Sequence, residues 1–145
     1  MTSLLHRGGD VTTAILNMLA AAGFLVGDGE APDGAGWQGP PGASSFKGYV
    51  NVHATPGGTT DGPIAAPRAD AAADYQLISI GARRAQAEQI GDDVRRAMLT
   101  TPLFVADRYV AETRLDMLGG VIRDDGVQPA LFYVSDRYRL LVVPS

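Results

Sequence analysis

The segment SIGARRA, residues 79–85, joins a strand pattern to a helix pattern through one glycine, Gly81. Backbone N–H groups at the start of a helix can bind an anion, and Arg83 and Arg84 could add positive charge there. A phosphate-binding loop needs several glycines, and a Walker loop also needs a lysine followed by serine or threonine. The sequence therefore favours a structural corner at which Arg83 and Arg84 are solvated side chains.

The two histidines are His6, near the N-terminus, and His53, in a strand pattern. A histidine base needs an orienting carboxylate and a nucleophile within hydrogen-bond reach, and no sequence signature joins His53 to any serine. We therefore expect His53 to be an exposed or hydrogen-bonded strand residue. The chain has no cysteine, which excludes disulfides, a thiolate nucleophile and a cysteine zinc site.

Two acidic segments, GDGEAPDG and RDDG, resemble calcium loops only superficially. Neither has the regular ligand spacing and the final bidentate glutamate of an EF-hand. Aspartates beside glycine are typical of turns. Paired carboxylates could still be assembled in space, as in glycoside hydrolysis, but no pair is indicated by the sequence. We predict no catalytic residue, no cofactor and no metal site, and thus a protein that is not an enzyme.

Trp37 stands alone as a large apolar residue within GAGWQGPPG. Such a side chain in a loop usually either packs back onto its own core or anchors a partner. The sequence leaves both interpretations open.

The length of 145 residues suits one domain, residues 1–145, and is too short for two comfortable ones. Apolar residues make up 46% of the chain and charged residues 19%, as in ordinary globular proteins. The net charge is -4, and the 11 arginines are scattered beside the single lysine, Lys47. A dedicated nucleic-acid binder is therefore disfavoured.

The N-terminal region carries no pattern for a membrane or for export. Its longest apolar stretch, Ala14–Val26, is interrupted by Asn17 and Gly23 and is too short to span a bilayer. The first residues, MTSLLHRGGD, lack the layout of a signal peptide. We expect a soluble protein that is not exported and has no membrane partner.

Hydrophobic periodicity and turn residues predict the order of the elements. The first part of the chain is predicted to form a helix over 10–22, ended by Gly23, and strands over 24–26, 46–54 and 75–80. A helix between Gly81 and Pro102 and a strand over 104–118 follow. After a loop at IRDDGVQP, the chain ends in strands within 131–143 that allow a bend near Ser135 and Asp136. Helix remains an alternative for part of 104–118.

The strand Tyr75–Ile80 is apolar on both faces, which predicts a central position in a sheet. The following helix carries one apolar stripe, formed by Ala87, Ile90, Val94, Ala97 and Met98. Two long irregular loops are predicted, over Gly27–Ser45 and Thr55–Asp74. Loops of this length in a small domain are commonly functional or become ordered against a partner.

Three segments resemble the tail terminator proteins of long-tailed, siphovirus-like bacteriophages. They are GYVNVHATPGG, followed by a long loop, DYQLISIGARRAQAEQIGDDVRRAML, and the closing DRYRLLVVPS, and a helix near the N-terminus precedes them. The resemblance covers nearly the whole chain and depends on the order of elements, with no invariant catalytic motif.

The resemblance implies an α+β fold with a single domain, in which a mainly antiparallel or mixed β-sheet packs against two helices and long irregular loops connect the elements. It also implies a homohexameric ring that caps the tail tube and ends its polymerisation. The implied partners are other copies of the chain, the tail tube protein and the head-tail connector or stopper protein. Genomic DNA would pass through the lumen without specific binding.

The implied location is the virion, in the tail at the head-tail junction, after assembly in the host cytoplasm. Carboxylates that face a lumen would repel DNA, whereas each neutralised phosphate would add salt-dependent grip. The candidate interface or lumen residues are Trp37, Asp61, Arg68, Asp70, Asp74, Arg83 and Arg84. The alternatives are a connector stopper or minor tail protein and, in another class, a small enzyme or ligand-binding module.

Overall fold

The computed structural model describes residues 8–54, 71–105 and 108–144. Its elements, in chain order, are α1 (Gly8–Ala21), β1 (Val26–Asp28), β2 (Gly36–Trp37), β3 (Phe46–Lys47), β4 (Tyr49–Ala54), β5 (Ala71–Gly81), α2 (Arg84–Thr100), β6 (Phe104–Val105), β7 (Arg108–Met117), β8 (Val121–Asp124) and β9 (Leu131–Pro144). The glycine predicted to end the first helix, Gly23, adopts a positive φ of 99°. This left-handed conformation at a helix C-terminus favours glycine.

Among the described residues, the main sheet has seven strands in the order β1-β4-β5-β9-β7-β6, with β8 paired to β9, and β2 and β3 form a separate ribbon. The β1–β4 pair is parallel, whereas β4–β5, β5–β9 and β7–β9 are antiparallel. β5 lies between β4 and β9, which confirms its predicted central position. The sheet and two helices confirm the α+β class.

β9 is one continuous strand, although a bend near Ser135 and Asp136 was allowed by the sequence. Instead, the strand that pairs with one edge of β9 changes near Ser135 and Asp136. Leu131–Val134 pair with β8, and Arg137–Pro144 pair with β7. The turn between β7 and β8 therefore lies beside the middle of β9.

Both helices pack on one face of the sheet. Side chains from α1, such as Ile15 and Leu19, and from α2, such as Val94 and Met98, share one buried core with the inward residues of β4, β5 and β9. Burial of Val94 or Met98 is worth roughly 1.5–3 kcal/mol each, against about 0.3–0.5 kcal/mol for an exposed helical ion pair. Packing therefore fixes α2, as the predicted apolar stripe indicates.

Several predicted boundaries are wrong. The predicted loop Gly27–Ser45 contains the end of β1 and the strand β2, which pairs with β3. The loop IRDDGVQP begins with three residues of β8. In Thr55–Asp74, the last four residues belong to β5, and residues 55–70 lie outside the described residues. These segments become strands through pairing with β3, β4 or β9, which local patterns do not encode.

The predicted strand over residues 46–54 is divided at Gly48. Phe46–Lys47 pair with β2, whereas Tyr49–Ala54 pair with β5. A Cβ atom at Gly48 would overlap the Cδ1 atom of Ile90 and lie 3.0 Å from the carbonyl oxygen of Ile80. Glycine at this position therefore lets the chain pass close to α2 as it changes sheets.

Candidate interaction surfaces

An open groove of about 930 Å³ lies between α2, the start of β4 and the chain that follows α1. Its apolar lining includes Phe24, Phe46, Tyr49, Ile90 and Ala97, and we call this surface the aromatic groove. Burial raises the pKa of the Tyr49 hydroxyl above its ordinary value. The phenol is therefore a neutral hydrogen-bonding group across the physiological pH range.

The polar rim of the aromatic groove carries one positive charge in excess. Arg96 Nη1 lies 3.5 Å from Asp93 Oδ1, and the same carboxylate oxygen accepts a hydrogen bond of 3.0 Å from Gln89 Nε2. This ion pair is close to neutral as a unit. Lys47, also in the lining, forms no ion pair with any described residue.

Gln86 fixes one wall of the aromatic groove to the start of α2. Its Nε2 donates a hydrogen bond of 2.9 Å to the carbonyl oxygen of Phe46. Its Oε1 accepts one of 2.8 Å from the backbone N–H of Ala82. One amide side chain thereby satisfies backbone groups on both sides and holds β3 against the helix.

Trp37 packs on the outer side of this wall. Its ring meets that of Phe46 edge to face, with centroids 5.1 Å apart and an interplanar angle of 77°. The ring of Phe46 in turn lies 6.2 Å from that of Tyr49. Trp37 is half-buried, so it supports the groove wall through Phe46 and remains partly exposed.

Three large exposed apolar residues lie at the end of β7, just after it and in β8. We call these residues, Met117, Leu118 and Ile122, the apolar patch. These side chains are 58%, 61% and 49% exposed. Met117 pairs in register with Arg137 and Ile122 with Tyr133. Because the alternate β9 residues Val134, Asp136 and Tyr138 are buried toward the helices, Met117 and Ile122 lie on the opposite face of the sheet.

The patch is positioned by a buried carboxylate, Asp136, which is only 3% exposed. Its Oδ2 accepts a hydrogen bond of 2.8 Å from Arg95 Nη2 on α2. Its Oδ1 accepts one of 3.0 Å from the backbone N–H of Gly119. Burial alone would lower the pKa of Arg95, but the hydrogen bond and charge of Asp136 raise it above its ordinary value.

Gly119 follows the patch residue Leu118, and its position allows a close backbone approach to β9. A Cβ atom there would overlap the carbonyl oxygen of Ser135, whereas one at Gly120 would meet nothing within 4 Å. Two consecutive glycines are typical of a turn, but no local pattern in the sequence indicates the carboxylate that binds the first one. A buried aspartate is recognisable only once its partners are known.

The candidate residues from the sequence lie in different places. Arg83 occupies the N-cap position of α2 without a side-chain cap, and Arg84 begins the helix; both are exposed, as predicted. Asp74 lies toward the other end of β5, roughly 23 Å along the strand from Gly81. Its Oδ1 atom lies 3.9 Å from Arg139 Nε. Asp61, Arg68 and Asp70 lie outside the described residues.

His53 lies in β4 opposite Gln76 of β5. Across residues 8–54, 71–105 and 108–144, no three histidine, aspartate or glutamate side chains come close enough to hold a metal ion. In the same ranges, no helix is both long and apolar enough to span a bilayer.

No protein-family model matches the sequence, and comparison with curated proteins gives no significant match. Among solved structures, the fold is similar to that of a chain from the "Virion of native gene transfer agent (GTA) particle", with a TM-score of 0.63 and 17% sequence identity. The alignment covers 95% of this chain and 98% of that chain. At this identity the similarity is one of fold, and it extends over almost the full length of both chains.

Proposed function

We propose that this chain is a structural protein of a tailed, phage-like particle. The supporting observation is the fold shared with a chain of a gene transfer agent virion over 95% of the sequence. A role in assembly requires surfaces for protein contacts and no bond-making groups. The exposed apolar patch and the open aromatic groove have the character of such surfaces.

Within the particle, the proposed role is that of a tail terminator: a ring of six copies that caps the tail tube, ends its polymerisation and joins the tail to the connector. The sequence resemblance over the strand β5, the corner at Gly81 and the helix α2 supports this finer assignment. In a cyclic ring each subunit contact is heterologous, with two different surfaces of the chain meeting at every interface.

Electron microscopy of particles made without the protein tests this role. We expect tails of irregular, extended length that fail to join heads, and tails of normal length when the intact gene is supplied in trans. Uniform tails of normal length in the absence of the protein would exclude the terminator role.

A connector stopper or a minor tail protein is the second candidate, because the similarity to a virion chain fits either of these as well. Pull-down with purified tail tube protein and, separately, with purified connector protein separates the possibilities. A terminator binds both, whereas a stopper that binds only connector proteins contradicts the terminator assignment.

A further inference from the structure

We propose that two free copies of this chain pair antiparallel through the outer edge of β7, with Glu112 of each copy opposite Arg114 of the other. The occupant of this sheet edge is therefore a second copy of the chain. The inference goes beyond the proposed ring and does not rest on it, because a two-fold contact uses the same surface on both copies and closes on itself.

The outer edge of β7 is open over most of its length. Beyond Tyr109, which pairs with β6, no described strand lies beside this edge. The register with β9 is regular over Glu112–Leu115. This segment contains neither lysine nor proline, the residues that commonly protect an edge. Its outward backbone N–H and C=O groups can therefore pair with a further strand.

The two charged residues of this segment have no partner among the described residues. Glu112 and Arg114 are exposed, and neither forms an ion pair there. Arg114 pairs in register with Arg139, a second cation, and Arg139 has Asp74 on its other side. Like charges directly opposite each other destabilise a sheet. The row from Asp74 to Arg114 thus ends at the edge with an arginine to which a carboxylate would be favourable.

The edge is complementary to itself in charge. Glu112 and Arg114 lie on the same face of the sheet, on either side of Thr113. When two β7 strands run antiparallel with Thr113 at the two-fold axis, each Glu112 lies opposite Arg114 of the other copy. The next charged residue along β7, Asp116, then falls opposite Val110 and meets no like charge.

This charge pattern favours a second copy over a strand of another kind. Opposite charges directly across an antiparallel pair stabilise it. An acidic peptide would pair with Arg114 and repel Glu112, and a basic peptide would do the reverse. A second β7 strand satisfies both residues at once, in one register.

The contact involves few residues, so we expect a weak dimer that forms as the protein concentration rises. Sedimentation equilibrium of the free protein measures the dissociation constant. Added salt should weaken the dimer, because the paired charges lie at an exposed edge.

Charge reversal tests the register. Glu112→Arg or Arg114→Glu alone places like charges opposite each other twice in the dimer and should weaken it by about tenfold. An equimolar mixture of the two variants should associate again, because one copy then carries two arginines and the other two glutamates. The control is Glu88→Arg, the same change of charge at an exposed position of α2, which should leave the dimer unchanged. Circular dichroism checks that each variant folds.

Several results would overturn the edge contact. They are a natural chain that stays monomeric or associates only into rings, single reversals that behave like Glu88→Arg, and a mixture that fails to recover association. The ring is tested separately: tails of normal length without the protein would exclude the terminator role and leave the edge dimer standing. Conversely, rings on tails together with a monomeric free protein would retain the terminator role and remove this inference.

Discussion

Asp136 is the residue on which the β7–β8 turn depends, because it accepts hydrogen bonds from both Arg95 and Gly119. We expect Asp136→Ala to lower the free energy of unfolding by about 3 kcal/mol, since a partly buried guanidinium and a backbone N–H lose their acceptor. Urea unfolding followed by circular dichroism measures the change.

The matched control is Asp92→Ala, which removes the other carboxylate that contacts Arg95, at 2.9 Å. Asp92 is largely exposed, so its loss should cost less than about 1 kcal/mol. Equal effects of the two substitutions would show that burial of Asp136 does not set the strength of its interactions.

At the scale of elements, the ribbon of β2 and β3 is held to α2 by the side chain of Gln86. Gln86→Ala should cost about 1–2 kcal/mol, because the carbonyl of Phe46 and the N–H of Ala82 lose their partner. Trp37 is the only tryptophan and packs on Phe46, so its fluorescence reports directly on this wall.

We expect the emission of Trp37 to shift to longer wavelength in Gln86→Ala as the ring gains solvent. Gln89→Ala is the control on the same helix, because Gln89 is exposed and bonds only to Asp93 among the described residues. Unchanged emission in Gln86→Ala would contradict the role of this side chain in holding the ribbon.

At the scale of the whole molecule, three tyrosines in the sheet make the free energy of unfolding depend on pH in the alkaline range. Burial raises the pKa of Tyr49, Tyr75 and Tyr138 above the ordinary value. The folded state therefore retains these protons more strongly than the unfolded state. Their contribution to stability is complete below about pH 10 and is lost as the pH rises toward the folded-state pKa values.

Urea unfolding from about pH 9 to about pH 11 should show this loss, and tyrosinate absorbance of the folded protein should rise later than that of the unfolded chain. Tyr138→Phe should reduce the slope of stability against pH, because it removes one of the linked groups. A slope equal to that of the natural chain would contradict the linkage at Tyr138.

The local sequence determined much of the architecture. The apolar stripe of α2, the two-sided apolar pattern of Tyr75–Ile80 and the glycine after α1 predicted two helices and a central strand, and the structure confirms them. Each of these signals involves neighbours within a few positions along the chain, where periodicity and backbone preference act directly. The class of fold was therefore accessible from sequence.

Tertiary structure alone decided the surfaces. Ala71–Asp74 has a weak strand propensity and becomes part of β5 because β9 pairs with it. Asp136 meets partners 41 and 17 positions away, and the aromatic groove is assembled from three separated segments. Contacts between distant residues leave no local periodicity, so the groove, the patch and the buried carboxylate became visible only when the chain was folded.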